Sequence, residues 1–179
     1  IAYIAATPGI RDVILTGGDP LLLDDDRLED ILTRLHAIPH LEIIRVGSRV
    51  PVTLPARITP ELCSLLARFQ PLYLNTHFNH PREIVSASIE ACTRLADAGI
   101  PLGNQTVLLG GVNDDPAVMI DLCRKLLKMR VRPYYLHHLD QARGTAHFRV
   151  PVEHGLEIIK AMRGQVSGLG IPQYVVDPP

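Results

Sequence analysis

Residues 12–36, DVILTGGDPLLLDDDRLEDILTRLH, carry one complete strand-then-helix unit. Asp12–Thr16 is a short β-rich run, and Gly17 with Gly18 breaks it. Leu28, Ile31, Leu32 and Leu35 then recur at i, i+3, i+4 and i+7, the spacing of one buried helical stripe. Working outward, the same alternation repeats. Strands are predicted at Leu41–Val46, Leu72–His77, Gly103–Leu109, Val131–Leu136 and Pro172–Val176, with starts roughly 30 residues apart, the length of a βα unit. Two further helical stripes fall between them, Leu62, Leu65, Leu66 and Phe69, then Met119, Leu122, Cys123 and Leu126. Thr59 before Pro60, and Asp114 with Asp115 before Pro116, read as N-caps followed by a first-turn proline; Gly99 reads as a C-cap. Strict βα alternation implies a parallel sheet with helices packed outside, its strands apolar on successive positions and suited to burial on both faces. Six units make most of a barrel. No linker or low-complexity tract divides residues 1–179, so one domain is expected.

Composition narrows the partners. The 179 residues hold 18 Lys+Arg against 19 Asp+Glu, a formal net charge of -1 with no basic excess to grip a polyanion, so nucleic acid is not expected. Apolar runs such as Ile1–Ala6 fall far short of the roughly 18 residues that span a bilayer, and no secretory signal is evident, so a cytoplasmic protein without a membrane partner is expected. Cys63, Cys92 and Cys123 lie too far apart for a metal clip or a disulfide framework and read as small core residues, so no metal site is assigned. The chain opens inside an apolar stretch and stops just after a strand-like run, which reads as a piece of a longer protein.

In parallel α/β folds reactive groups gather beyond the carboxyl ends of the strands. Here those ends are polar: Thr16-Gly17-Gly18-Asp19, Gly47-Ser48-Arg49, Asn75-Thr76-His77-Phe78-Asn79-His80, Gly110-Gly111-Val112-Asn113-Asp114, His137-His138-Leu139-Asp140, and Asp177, with Asn104 and Gln105 inside the fourth strand. Each has a structural alternative. Gly17-Gly18 suits a tight turn as well as a ligand, and Asp140 suits a turn or an N-cap as well as a site. Adjacent histidines in a strand face opposite sides, so a surface or core role is the expectation for His138. His36, His40, His147 and His154 read as solvated.

Taken together, the strings TGGDPLL from Thr16, GSRVP from Gly47, RITPEL from Arg57, NTHFNHP from Asn75, LGNQ from Leu102, GVND from Gly111, RPYY from Arg132, AHFR from Ala146 and VVD from Val175 carry a resemblance. The chain resembles the lysine 2,3-aminomutase family of radical S-adenosylmethionine enzymes along essentially its whole length. The resemblance implies an α/β fold, the parallel (β/α)6 partial TIM-like barrel of radical SAM proteins. It implies an isomerase that interconverts L-lysine and β-lysine by a radical 1,2-amino migration. The implied cofactors are S-adenosylmethionine, a [4Fe–4S] cluster whose CxxxCxxC ligands lie upstream of Ile1, and pyridoxal 5′-phosphate, whose lysine lies beyond Asp177. No catalytic residue falls within the chain, which alone would be at most a non-catalytic nucleotide- or substrate-binding fragment.

By the same resemblance Gly17, Gly18 and Asp19 meet the methionyl amino group of S-adenosylmethionine, and Ser48, His77 and Gln105 line the cofactor pocket. Asp140 and Asp177 receive the ε-ammonium of a lysine substrate. Two carboxylates converging on one cation each contribute about 4 kcal/mol at 4 Å and an effective dielectric of 20, before desolvation. Where relatives place a tyrosine and a cysteine ahead of the first aspartate, this chain has His137 and Leu139, and Asp115 stands where zinc-binding relatives carry cysteine. The string YYLHHLD from Tyr134 leans toward the branch that serves elongation factor P, whereas Asp177 pulls toward free lysine. A glutamate-specific enzyme is disfavoured, since two aspartates repel a carboxylate. Association into a homo-oligomer stays open.

Overall fold

A computed structural model describes residues Ile1–Asp177. Contacts divide them into two compact units, Ile1–Thr76 with Ala87–Leu102, and His77–Ser86 with the chain from Gly103 onward. The strands follow one another in the sheet in sequence order, from the first to the sixth, the parallel (β/α)6 order expected of the partial barrel.

The first unit contains α1 (Ala2–Ala5), β1 (Asp12–Leu15), α2 (Asp25–His36), β2 (Ile43–Gly47), α3 (Val50–Thr53), α4 (Pro60–Ala67), β3 (Leu72–Thr76) and, from Ala87 on, α5 (Ser86–Asp97). Its strands pair in parallel, Asp12 opposite Ile43 and Ile44 opposite Leu72. The predicted punctuation holds. Thr59 Oγ1 accepts the Leu62 N–H at 3.2 Å, capping α4 ahead of Pro60. Gly99, at φ 80°, reverses the chain after α5. Leu28, Leu32 and Leu35 of α2 are buried, each contributing about 2 kcal/mol by leaving water. Ile31, the fourth residue of that stripe, is only half-buried because it lines a cleft beside the β1 loop.

The second unit contains β4 (Leu102–Val107), α6 (Pro116–Lys128), β5 (Val131–His137), α7 (Val152–Met162) and β6 (Gln173–Val175). Asp115 Oδ1 caps α6 through the Ala117 N–H at 2.8 Å. β5 and β6 run parallel with Leu136 opposite Tyr174 and His137 opposite Val175. Burial on both strand faces holds only in part: Leu74, Asn75 and Thr76 of β3 are buried in succession, whereas β2 and β4 alternate. Ile44 and Val46 of β2, and Leu102, Asn104 and Thr106 of β4, are buried, while their alternate neighbours, Arg45 and Gln105 among them, stay half-exposed. The packed face of β4 thus carries Asn104 and Thr106 beside Leu102, and apolar Ile14 and Tyr73 stand exposed on β1 and β3.

In β5 the alternation slips. Val131 and Pro133 are buried, then Leu136, so Tyr134 and Tyr135 fall together between them. Their hydroxyls hydrogen-bond at 3.1 Å and their rings lie 3.9 Å apart, contacts that adjacent residues of a regular strand cannot make. Slips of this kind re-aim the side chains that follow. His137 thereby joins Tyr135, with ring centroids 5.3 Å apart, while Leu136 turns to the packed face.

Among the described residues no helix is long and apolar enough to cross a membrane.

Candidate active site

In the first unit the chain leaves β1 through Thr16 into two glycines that both adopt left-handed backbone, Gly17 at φ 85° and Gly18 at φ 59°. A Cβ at either would meet nothing within 4 Å, so neither glycine is there for lack of room. What they provide is a backbone conformation that other residues resist, with bare peptide groups facing open space. That space is a cleft of about 360 Å³ walled by Ile14, Thr16, Gly17, Gly18, Asp19 and Ile31.

Asp19 anchors the turn. Its Oδ1 accepts from the Leu21 N–H at 3.1 Å and from Ser48 Oγ at 2.7 Å, and Oδ2 accepts from the Arg49 N–H at 2.6 Å. Ser48 is 2% exposed, and its Oγ also accepts the Val50 N–H at 3.0 Å. Of roughly four acceptor positions on a carboxylate, three are therefore engaged and one on Oδ2 is left. Asp19 consequently ties the loop after β1 to the loop after β2 while keeping one acceptor for a ligand. The sequence places Gly17, Gly18, Asp19 and Ser48 in one pocket on resemblance; the structure brings Asp19 and Ser48 into direct contact and adds the Arg49 backbone.

In the second unit His77 is half-buried just after β3, and Gln105 lies half-buried in β4, on the side opposite Asn104 and Thr106. Those two neighbours are occupied with the backbone. Asn104 Oδ1 accepts the Phe78 N–H at 2.7 Å, and Asn104 Nδ2 and Thr106 Oγ1 both donate to the Phe78 carbonyl at 3.0 Å. Asn113, fully buried, donates through Nδ2 to the carbonyls of Asn79 at 2.8 Å and Val107 at 2.9 Å, and accepts the Leu109 N–H at 2.7 Å. These asparagines replace backbone partners that irregular segments lack, which spares buried amides a desolvation cost.

Asp140 and Asp177 line one open cleft of about 670 Å³. Leu139, Ala142, Val150, Val152 and Val176 form apolar walls, and His138, Gln141 and Arg149 complete the polar lining. Both carboxylates are exposed, and His137 Nδ1 stands 3.7 Å from Asp177 Oδ2. β5 ends at His137, and His138 is half-buried in the cleft wall with its Nδ1 2.8 Å from Tyr174 Oη. The sequence assigns no role to Tyr174 or Arg149, since neither stands next to a recognisable turn signal. His40 and His154, expected to be solvated, instead hydrogen-bond through Nε2 to the carbonyls of Ile4 at 3.0 Å and Asp114 at 2.7 Å.

Among the described residues no three histidine, cysteine or acidic side chains gather as a metal site. The three cysteines are buried in α4, α5 and α6, and burial pushes the thiols of Cys92 and Cys123 up to about 12. They are inert core residues, as the sequence implies.

No family model matches the chain. It is 58% identical over its full length to the L-lysine 2,3-aminomutase of Fusobacterium nucleatum and 57% identical to that of Clostridium subterminale, covering 42% and 43% of those proteins. A glutamate 2,3-aminomutase of Clostridioides difficile is 52% identical over the same span. The chain thus spans about two fifths of the length of the curated relatives it matches. Among solved structures, a radical SAM methyltransferase from Sphaerobacter thermophilus superposes with TM-score 0.66 at 19% identity, over 93% of this chain and 50% of that one. Streptococcus suis SuiB bound to S-adenosylmethionine superposes with TM-score 0.65 at 10% identity, over 93% of this chain and 39% of that one. At such identities these two structures speak for the fold, that of radical SAM enzymes.

Proposed function

We propose that this chain, which belongs to the lysine 2,3-aminomutase family, is the cofactor- and substrate-holding part of an L-lysine 2,3-aminomutase that interconverts L-lysine and β-lysine. The observation that carries the reading is the 670 Å³ cleft, where two carboxylates stand over apolar walls. A lysine side chain is a tetramethylene stem ending in an ammonium, and the cleft offers a partner for each half. Leu139, Val150, Val152 and Val176 take the stem, worth about 0.8 kcal/mol per buried methylene. Asp140 and Asp177 take the head. In open water each charge contact is worth only about 1 kcal/mol at 4 Å, rising to about 4 kcal/mol once the stem has displaced water and the effective dielectric falls toward 20. The apolar and ionic contacts therefore reinforce one another. Glutamate, with a carboxylate at the far end, meets two like charges and is disfavoured.

The first unit suits S-adenosylmethionine. Left-handed Gly17 and Gly18 leave peptide groups bare beside a cleft, and the remaining acceptor position on Asp19 suits an ammonium. When bound with an iron–sulfur cluster, S-adenosylmethionine supplies a carbon radical able to take a hydrogen atom from an unactivated carbon. The residues of this chain bind and orient. Gly17, Gly18, Asp19 and Ser48 hold the methionyl end, and His77 and Gln105 offer donors and acceptors to ribose or phosphate oxygens. The cluster and pyridoxal phosphate draw their ligands from outside these residues. Asp140 and Asp177 fix the far end of the substrate, which limits the positions open to its reacting carbon.

The test is steady-state kinetics of the complete protein on free L-lysine. Asp140→Asn and Asp177→Asn are each expected to raise KM at least tenfold, and unchanged KM in both would reject the reading. Activity on elongation factor P and none on free lysine would assign the protein to the branch that acts on a protein-borne lysine.

A further inference from the structure

Asp140 and Asp177 line one cleft together with Arg149, and the two like charges push apart wherever no cation lies between them. Something must hold the pair at a gap fit for one ammonium. Beside the 3.7 Å approach of His137 Nδ1 to Asp177 Oδ2, two hydrogen bonds join the segments just before the carboxylates. The His138 N–H donates to the Val175 carbonyl at 2.7 Å, and the side chains of His138 and Tyr174 meet at 2.8 Å between Nδ1 and Oη. Asp140 follows His138 by two residues, and Asp177 follows Tyr174 by three. Tyr174 stands opposite Leu136 in the ladder, which puts its ring on the packed face of β6.

Gly155 of α7 receives that ring. A Cβ there would come within 2.2 Å of Tyr174 Cζ and 2.3 Å of Oη, so no larger residue fits without moving the phenol. Burial, with the nearby Glu153, pushes the Tyr174 phenol above its ordinary range. The ring edge of His138 meets Tyr174 with centroids 6.1 Å apart and an interplanar angle of 78°. The imidazole is thus held at Nδ1 by Tyr174, in a residue that also lines the cleft.

We propose that Tyr174, seated on Gly155 and bonded to His138, is a positioning residue that sets the gap between the Asp140 and Asp177 carboxylates, and through it the length of cationic side chain the cleft accepts. The proposal rests on the reading of those two carboxylates as ammonium ligands. It goes further in assigning substrate length selection to a side chain on the helix-packed face of β6. Without the Tyr174 hydroxyl, the stretch beyond the β5–β6 ladder keeps the His138 backbone bond and the His137–Asp177 contact but loses its side-chain tie, and mutual repulsion widens the gap.

The experiment compares Tyr174→Phe, Asp140→Asn, Asp177→Asn and the unaltered complete protein on L-lysine and on L-ornithine, one methylene shorter. Tyr174→Phe keeps the ring on Gly155 and removes only the hydroxyl. Its KM for lysine is expected to rise about fivefold, the worth of one net hydrogen bond, with kcat nearly unchanged and the lysine-over-ornithine preference reduced. His138→Asn, whose side-chain amide can stand where Nδ1 stood, is expected to retain more of that preference than His138→Leu. A Tyr174→Phe protein with lowered melting temperature but unaltered KM and preference would make Tyr174 a packing residue and overturn the proposal. Equal loss of preference in the two His138 variants would also overturn it. Unchanged lysine KM in both Asp140→Asn and Asp177→Asn would instead reject the carboxylate reading itself, and the proposal with it.

Discussion

The Asp19 carboxylate accepts the backbone N–H of Arg49 at 2.6 Å across a sequence gap of 30 residues, fastening the turn after β1 to the turn after β2. The same side chain caps the short 3-10 helix Pro20–Leu22 through the Leu21 N–H and holds the buried Ser48 hydroxyl. A residue that the sequence offers as a ligand is therefore also a structural tie, and its substitution has two separable consequences.

Asp19→Ala is expected to cost roughly 1.5–3 kcal/mol of stability, because it leaves the Ser48 hydroxyl and two backbone donors without their partner. It should also weaken S-adenosylmethionine binding. Denaturant melts give the first quantity and equilibrium binding the second. Pyridoxal phosphate loading should change little at temperatures where the variant is folded, and a melt identical to that of the unaltered protein would contradict the tie.

Gly17→Ala and Gly18→Ala introduce a Cβ into open space but impose left-handed backbone on alanine, a strain of about 1–2 kcal/mol each. The methyl group projects into the region a ligand needs. Melting is expected to fall modestly while S-adenosylmethionine affinity falls more than tenfold. Equal, small changes in both would mean that the glycines serve the turn alone.

Asp140→Asn with Asp177→Asn should cost less than the sum of the two single substitutions in kcat/KM for lysine, since both carboxylates act on one charge. Both residues are exposed, so melting should move little. A double-mutant cycle on the complete protein measures the coupling, and strict additivity would separate the two residues functionally.

Asn113→Ala strips three hydrogen bonds from a fully buried position and leaves the Leu109 N–H without its acceptor. A loss of about 2–4 kcal/mol is expected, larger than for truncation of any exposed polar residue. Urea unfolding of Asn113→Ala beside Asn113→Asp distinguishes lost hydrogen bonding from lost volume.

The thiols of Cys92 and Cys123 ionise only near 12 in the folded chain, against 9.0 as the ordinary value. Both groups are neutral in either state below pH 9, so their contribution to stability is whole there. As pH rises from 9 toward 12 the unfolded thiols ionise first and that contribution is lost. Melting temperature should fall over this window, and Cys92→Ala with Cys123→Ala should flatten part of the slope. At pH 7.5 alkylation of the two thiols, followed by mass spectrometry, should require denaturant.

How much of this was legible in the amino-acid order depends on the range of the interaction. The βα alternation, the Thr59 and Asp115 caps, the Gly99 reversal and the burial of three cysteines all rest on chemistry between residues at most four apart, or on hydrophobic period, and these appear in the chain before it folds. Polar residues at the strand ends were legible for the same reason. Tertiary structure decided which of them meet. Asp19 finds Ser48 from 29 residues away and His138 finds Tyr174 from 36, partnerships set by strand register and by which side of a strand each residue faces. The slip at Tyr134 and Tyr135 changes those facings within β5, and the space left by Gly155 decides where the Tyr174 ring rests. A local pattern encodes a period, but it carries no record of the neighbour that packing brings against it.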